Sequence, residues 1–194
     1  MSATVATDVK RCEDCGLAMP ESAGGRCPRC GARIGRGAED CSALPVVSME
    51  NPYEAQYREI CDDVDEGRQS DSAYGDFVVS MERLADDGDD MAQHFLGRFI
   101  YLGKDWKYTY ELLEGSAAKG NALAENDLGV MYARGDYVQQ DEYAAIRLYR
   151  RSAEKGNPRA MINLAGRYSA GGGLLKDEVR AASLMRAEIG RAHV

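Results

Sequence analysis

Ser152-Ala153-Glu154-Lys155-Gly156-Asn157 nearly copies Ser116-Ala117-Ala118-Lys119-Gly120-Asn121, an offset of 36 residues. Ala124, Leu128, Tyr132 and Gly135 recur at the same offset as Ala160, Leu164, Tyr168 and Gly171. A fixed period in this range marks a stacked helical array, in which each unit touches only its neighbours. Ala92, Leu96, Gly97, Ile100 and Gly103 hold the equivalent places 32 residues before the Ala124 set. The shorter offset drops four residues after Gly103, in a loop, where deletions are tolerated. Gln56, Ile60, Val64 and Gly67 give a fainter copy 36 residues further upstream, followed by a helical stretch around Phe77 to Leu84. Four units result, at 56–91, 92–123, 124–159 and 160–194.

Each unit has the same physical logic. Its first, fifth and ninth places, such as Ala124, Leu128 and Tyr132, lie a turn apart on one helix face. Glycine eleven places in (Gly67, Gly103, Gly135, Gly171) ends that helix, because glycine takes a left-handed C-terminal conformation without strain. After a short loop Asp141, or Asp177, is placed to cap a second helix. That helix runs from Tyr143 through Ile146 and Tyr149 to Ala153, and stops at Lys155-Gly156-Asn157. One such pair cannot bury its apolar face alone, so pairs must stack.

The pattern A-x3-L-G-x2-Y-x2-G, then D-x2-A-x3-L-Y-x3-A-x2-G-N, resembles the Sel-one-like repeat, a relative of the tetratricopeptide repeat. The resemblance covers residues 56 to 188. It fits best at 124–159, through Ala124, Leu128, Gly129, Tyr132, Gly135, Asp141, Leu148, Tyr149, Ala153 and Gly156, and least in the first unit, where Gln56 and Cys61 replace small residues. It implies an all-α fold, a right-handed α-solenoid of about four helix pairs, and a protein–protein scaffold or adaptor rather than an enzyme. An irregular helical bundle is the rival architecture.

A second signal precedes the repeats: Cys12-Glu13-Asp14-Cys15-Gly16, then Cys27-Pro28-Arg29-Cys30-Gly31. Two C-x2-C knuckles supply four thiolates, the number a closed tetrahedral zinc site needs. With four protein ligands no coordination place is left for water, so the metal, Zn2+ held by Cys12, Cys15, Cys27 and Cys30, is structural. Four thiolates around a divalent cation leave a formal charge of −2, which Arg11, Arg26, Arg29 and Arg33 are placed to offset. The segment looks like the short zinc ribbons at the start of many bacterial proteins. Two disulfides are the competing chemistry, but residues 1–11 lack an apolar secretory stretch, which points to a reducing, cytoplasmic setting. The layout is then a tail at 1–9, a ribbon at 10–36, a flexible Gly/Ala/Ser linker at 37–50 holding Cys41, and the repeats at 51–194. With the repeat core placed beyond Gln56, the solenoid is expected to fold without the ribbon.

The formal net charge is −8. Residues 50–92 carry fourteen acidic side chains against Arg58, Arg68 and Arg83, whereas residues 93–194 carry twelve acidic and fifteen basic ones. An acidic first unit repels phosphate backbones, which disfavours nucleic acid as the main partner. It reads as a solvated array end, with docking of a basic partner the alternative. Asp86-Asp87-Gly88-Asp89-Asp90 lacks the alternate ligands and closing glutamate of a calcium loop and aligns with the turn at Lys119-Gly120. Gly171-Gly172-Gly173 lacks the Lys-Ser/Thr of a phosphate loop, and no catalytic motif or small-molecule site is evident. No apolar run is long enough to span a membrane. His94, off the packing face, is expected to be exposed.

Ile189-Gly190-Arg191-Ala192-His193-Val194 matches translation of the start of a widely used sequencing adapter. Those residues are therefore expected to be read-through after a truncated frame, with further repeats or domains lost.

The partner surface is expected on the concave side lined by first helices, at each unit's fourth and eighth places. These read Glu59 and Asp63, Phe95 and Phe99, Asp127 and Met131, then Asn163 and Arg167. They vary between units where core places do not, and exposed aromatics dominate many interfaces, which makes Phe95 and Phe99 the anchors; packing beside Tyr101 and Trp106 is their other reading. Two further functions stay open: a nucleic-acid-associated regulator using the ribbon arginines, or the regulatory end of a larger enzyme.

Overall fold

Asparagine or aspartate starts every first helix, because its side chain accepts from N–H groups that the helix leaves unpaired. Asn121 accepts from Leu123 and Ala124 N, and Asn157 from Arg159 N. Asn51 and Asp89 do the same for Tyr53 and Ala92 N. The computed structural model describes residues 11–17, 27, 29–32, 51–65, 72–103 and 105–189. Among these it contains eight helices and no strand: α1 Pro52–Asp65, α2 Ser72–Asp86, α3 Asp90–Gly103, α4 Trp106–Ala118, α5 Ala122–Arg134, α6 Glu142–Glu154, α7 Pro158–Ala170 and α8 Glu178–Ile189. The tail at 1–9, the linker at 37–50 with Cys41, Arg26, Arg33, Gly67 and residues 190–194 lie outside the described residues.

The helices pair as α1/α2, α3/α4, α5/α6 and α7/α8 and stack in chain order, an all-α repeat solenoid. First helices also meet across units, α1 with α3 and α3 with α5. Gly135 and Gly171 end α5 and α7 at φ 77° and 73°, as their position requires. Asp141 and Asp177 cap the second helices through Ala144 and Arg180 N. Gly129 serves another purpose. A Cβ there would sit 2.8 Å from the Tyr149 ring, so its absence lets α5 and α6 close together.

The K-G-N signature is explained by hydrogen bonds that lace the turns. Lys119 Nζ donates to Gly88 O and Lys155 Nζ to Gly120 O, at 2.5 and 2.8 Å. Ser116 and Ser152, both fully buried, donate to Asp90 O and Ala122 O. Asn121 and Asn157 reach back to the same two helix starts. These bonds tie the end of each second helix to the start of the first helix before it.

The first unit departs from the expected register. α1 begins at Pro52, four residues before the expected start, and Gln56 is exposed while Tyr53 and Tyr57 pack against the core. Leu84, Asp87 and Asp89 stand where later units have Ser, Lys and Asn. The lacing here runs the other way, with Asn51 Nδ2 donating to Met91 O and Tyr53 OH to Asp89.

Candidate metal centre and its docking face

Both knuckles fold by the same backbone bonds. Cys12 N donates to Leu17 O and Gly16 N to Cys12 O; Cys27 N donates to Ala32 O and Gly31 N to Cys27 O. Gly16 and Gly31, at φ 72° and 78°, make the reversal that brings each cysteine pair to one side. The four sulfurs lie within 4.8 Å of one another. Cys12 Sγ is 3.7 Å from Cys30 Sγ, and Cys15 Sγ is 3.6 Å from Cys27 Sγ. None of the four is disulfide-bonded. Zinc–sulfur bonds of about 2.3 Å in a tetrahedron put thiolates about 3.8 Å apart, so this donor set has the chemistry and spacing of a metal site.

The surroundings treat the thiols unequally. Burial opposes ionisation of Cys27, but N–H groups of Cys30 and Arg29 and the neighbouring thiols outweigh it, lowering its pKa to about 7. Burial raises Cys30 and Cys15 above the ordinary thiol value. Of the arginines expected to offset charge, Arg11 donates to Gly16 O, and Arg29 lies over the Tyr143 ring at 5.1 Å. Arg150, far off in sequence, is the cation that acts on the Cys30 thiol.

The knuckles do not stand apart from the repeats. Cys12, Cys27, Cys30 and Ala32 share one apolar cluster with Ile146, Tyr149, Tyr168, Leu174 and Leu184 of the last two units. The expectation that all core residues lie beyond Gln56 is therefore corrected, because the knuckles bury their own apolar side against α6, α7 and α8. Asp14, between the two cysteines of the first knuckle, is the anchor. Its carboxylate accepts from Arg150 Nη2 at 2.6 Å and from Tyr168 OH at 3.0 Å, and pairs with Arg180. Asp14 O accepts from Leu175 N, and Arg147 donates to Arg29 O. Sequence reasoning passed over this set. A faint signal existed, since Arg150 and Arg180 stand where the preceding unit has Glu114 and Ala144.

The residues expected on a partner face fall into different settings. Phe95 and Met131, 3 % and 0 % exposed, are core residues and closed to a partner. Phe95 meets Tyr57 and Phe77 because the irregular first unit leans aromatic side chains onto α3. Phe99, stacked beside Phe95, stays 37 % exposed. Asp127 is bound by His94 at 3.1 Å, Asn163 donates to Asn126, and Arg167 pairs with Glu142 and lies over Tyr149. Glu59 is exposed and Asp63 half-buried. His94 is fully buried rather than exposed, held by Asn51 on one nitrogen and Asp127 on the other. The acidic stretch at Asp86–Asp90 is the expected turn, and Gly171–Gly173 the expected inter-helix loop.

Residues 122–157 and 158–187 match the Sel1 repeat model. The chain is also similar to solved structures. A Sel1 repeat protein from Oxalobacter formigenes matches at 25 % identity and TM-score 0.54, over 57 % of this chain and 88 % of that one. A protective antigen present in uropathogenic Escherichia coli strains, displaying an SLR fold, matches at 29 % identity and TM-score 0.56. That match covers 59 % of this chain and only 25 % of the antigen. No curated protein sequence matches.

Proposed function

We propose that this chain, a Sel1-like repeat protein, is a protein-interaction module whose first-helix side receives a partner protein and whose N-terminal knuckles hold a structural Zn2+. The observation that carries the binding role is the stacked array itself. Its first helices meet across successive units and present side chains that differ from unit to unit on a shared backbone. Cys12, Cys15, Cys27 and Cys30 would hold the metal, whose contribution is to fix the knuckles and, through Asp14, to clamp them on α6–α8. Such a clamp makes residues 11–17, 27 and 29–32 a side cover of the last units rather than a separate domain. No helix among the described residues is long and apolar enough to cross a membrane, and free thiols agree with a reducing, cytoplasmic setting.

Two measurements test the reading. Metal analysis of the purified monomer is expected to give one zinc per chain, lost in Cys27→Ser; metal-free protein with paired cysteines would end the zinc assignment. Partner capture from the native host is expected to weaken in Phe99→Ala but not in Val179→Ala, which alters the most exposed large apolar residue of α8. Equal capture by both variants would remove Phe99 from the interface.

A further inference from the structure

The place that Arg150 holds on α6 is a solvated one in the neighbouring units. Arg150 is 3 % exposed, yet Glu114 and Arg186, 36 residues before and after it, are both exposed. The knuckles make the difference. Gly31 of the second knuckle lies so close to α6 that a Cβ there would sit 3.4 Å from Arg147 Cγ and 3.7 Å from Arg150 Cδ. Arg147 Nη1 donates to Arg29 O in the same knuckle. The first knuckle meets the same guanidinium, since Asp14 accepts from Arg150 Nη2, which also donates to Tyr168 OH.

Charge ties this contact to the metal site. Four thiolates around a divalent cation carry a formal −2, and Asp14, 6 % exposed, adds a negative charge between two of the cysteines. Buried anions need cations beside them. The knuckles' own arginines are spent at the edge, Arg11 on an exposed backbone bond and Arg29 over the Tyr143 ring. Among the described residues Arg150 is the one buried arginine, and it belongs to the repeats. Burial disfavours the Cys30 thiolate most, and the Ala32 N–H and the Arg150 charge work against that burial. Arg180 of α8 shares Asp14 but has Asp177 as a second partner.

We propose that the metal centre extends into the repeats: Arg150 of α6 is a positioning residue that, through Asp14 and through its charge beside Cys30, sets how tightly Cys12, Cys15, Cys27 and Cys30 hold the metal. The proposal rests on the zinc reading and adds a dependence of that site on α6. Groups one step out from a metal's ligands fix ligand charge and orientation, and losing one costs about 10- to 100-fold in affinity. The dependence is reciprocal. Whatever α6–α8 contribute to metal affinity, the metal returns to the stability of α6–α8 by the same factor.

The test uses the full chain, with Zn2+ competed by a chromophoric chelator and Co2+ as the spectroscopic probe. Arg150→Gln should weaken zinc binding by about 10- to 100-fold, and Arg150→Lys, which keeps the charge, should regain part of that loss. With Co2+ bound, the thiolate-to-metal absorption of Arg150→Gln should move to lower energy, because a positive charge beside Cys30 has gone. Ser152→Ala is the control. Its bonds to Ala122 and Asn157 run within the repeats, so it loosens α6 and should keep wild-type affinity and spectrum. Wild-type zinc affinity in Arg150→Gln, or an equal loss in Ser152→Ala, overturns the proposal and leaves the zinc assignment standing. A lysine variant no better than glutamine also overturns it. If Arg150→Gln does not fold, the wild type decides. Chelation should strip hydrogen-exchange protection from α6–α8 while α1–α3 keep theirs, and unchanged protection of α6–α8 overturns the proposal. Wild-type protein that takes up neither metal removes both this proposal and the zinc reading.

Discussion

The two ends of the array are built from different interactions. At the C-terminal end, α5–α8 follow the repeat closely and are laced by Ser152, Lys155 and Asn157, then clamped from the side by the cysteine knuckles through Asp14. At the N-terminal end, α1 and α2 lack those laces and are held on α3 by an aromatic cluster of Tyr57, Phe77, Phe95 and Phe99. The buried Asn51–His94–Asp127 chain adds to it. The contrast teaches that a repeat signature records hydrogen bonds that need one residue type at one place. Aromatic packing meets the same need for burial with many different sequences, and so leaves no periodic trace.

The largest expected effect breaks the clamp. Asp14→Ala removes the carboxylate paired with Arg150, whose side chain is 3 % exposed, and leaves Arg180 with Asp177 and Glu13. Removing one partner of a buried pair costs roughly 3–5 kcal/mol. Hydrogen exchange should show α6–α8 losing protection while α1–α3 keep theirs. Uniform loss along the chain would mean that the two ends are one cooperative unit and the comparison is false.

A pair of glycine substitutions sharpens the contrast. Gly129→Ala puts a methyl into the Tyr149 ring and should destabilise by about 1–3 kcal/mol through overpacking. Gly75→Ala in α2 meets nothing within 4 Å and lies in an exposed helix interior. It should stabilise by about 0.5–1 kcal/mol through helix propensity. Urea midpoints moving in opposite directions are the expected readout. A neutral Gly129→Ala would show that α5 and α6 have slack.

The smallest effect concerns pH. Burial opposes ionisation of Asp127, but the His94 hydrogen bond, with His94 and Arg98 charge and Asn126, outweighs it and holds the carboxyl below its ordinary value. A carboxyl lowered by folding contributes stability above the unfolded value of about 3.9, and that stability is lost as pH falls through the folded value. Between pH 5 and 3, Asp127→Asn should show a shallower loss than wild type. Fluorescence of Trp106, the one tryptophan, follows the middle of the array. Identical slopes would show that His94 does not hold this carboxylate.

Much of the solenoid was legible because its determinants are local and repeated. The 36-residue offset, the glycines at 135 and 171 and the caps at Asp141 and Asp177 each answer to backbone geometry within one turn of chain. The cysteine spacing was legible for the same reason, since each knuckle is closed by bonds spanning five residues or fewer. His94 was misjudged because its burial depends on Asn51 and Asp127, 43 and 33 residues away. Phe95 and Met131 were misplaced because helix periodicity gives a residue's direction around its own axis, not which neighbour closes over it.

Sequence by itself therefore determined the helix pairs, their stacking order and the four sulfurs, all set by short-range backbone demands. Only the tertiary structure decided that the knuckles lie against α6–α8, because Asp14 meets Arg150 and Tyr168 across 136 and 154 residues of chain. It also decided that Arg58 of α1 and Arg159 of α7 line one recess, which depends on how far the array curls. A turn or a cap is fixed by a few neighbouring dihedrals, whereas curvature sums small rotations at every helix contact, and no single stretch of sequence encodes that sum.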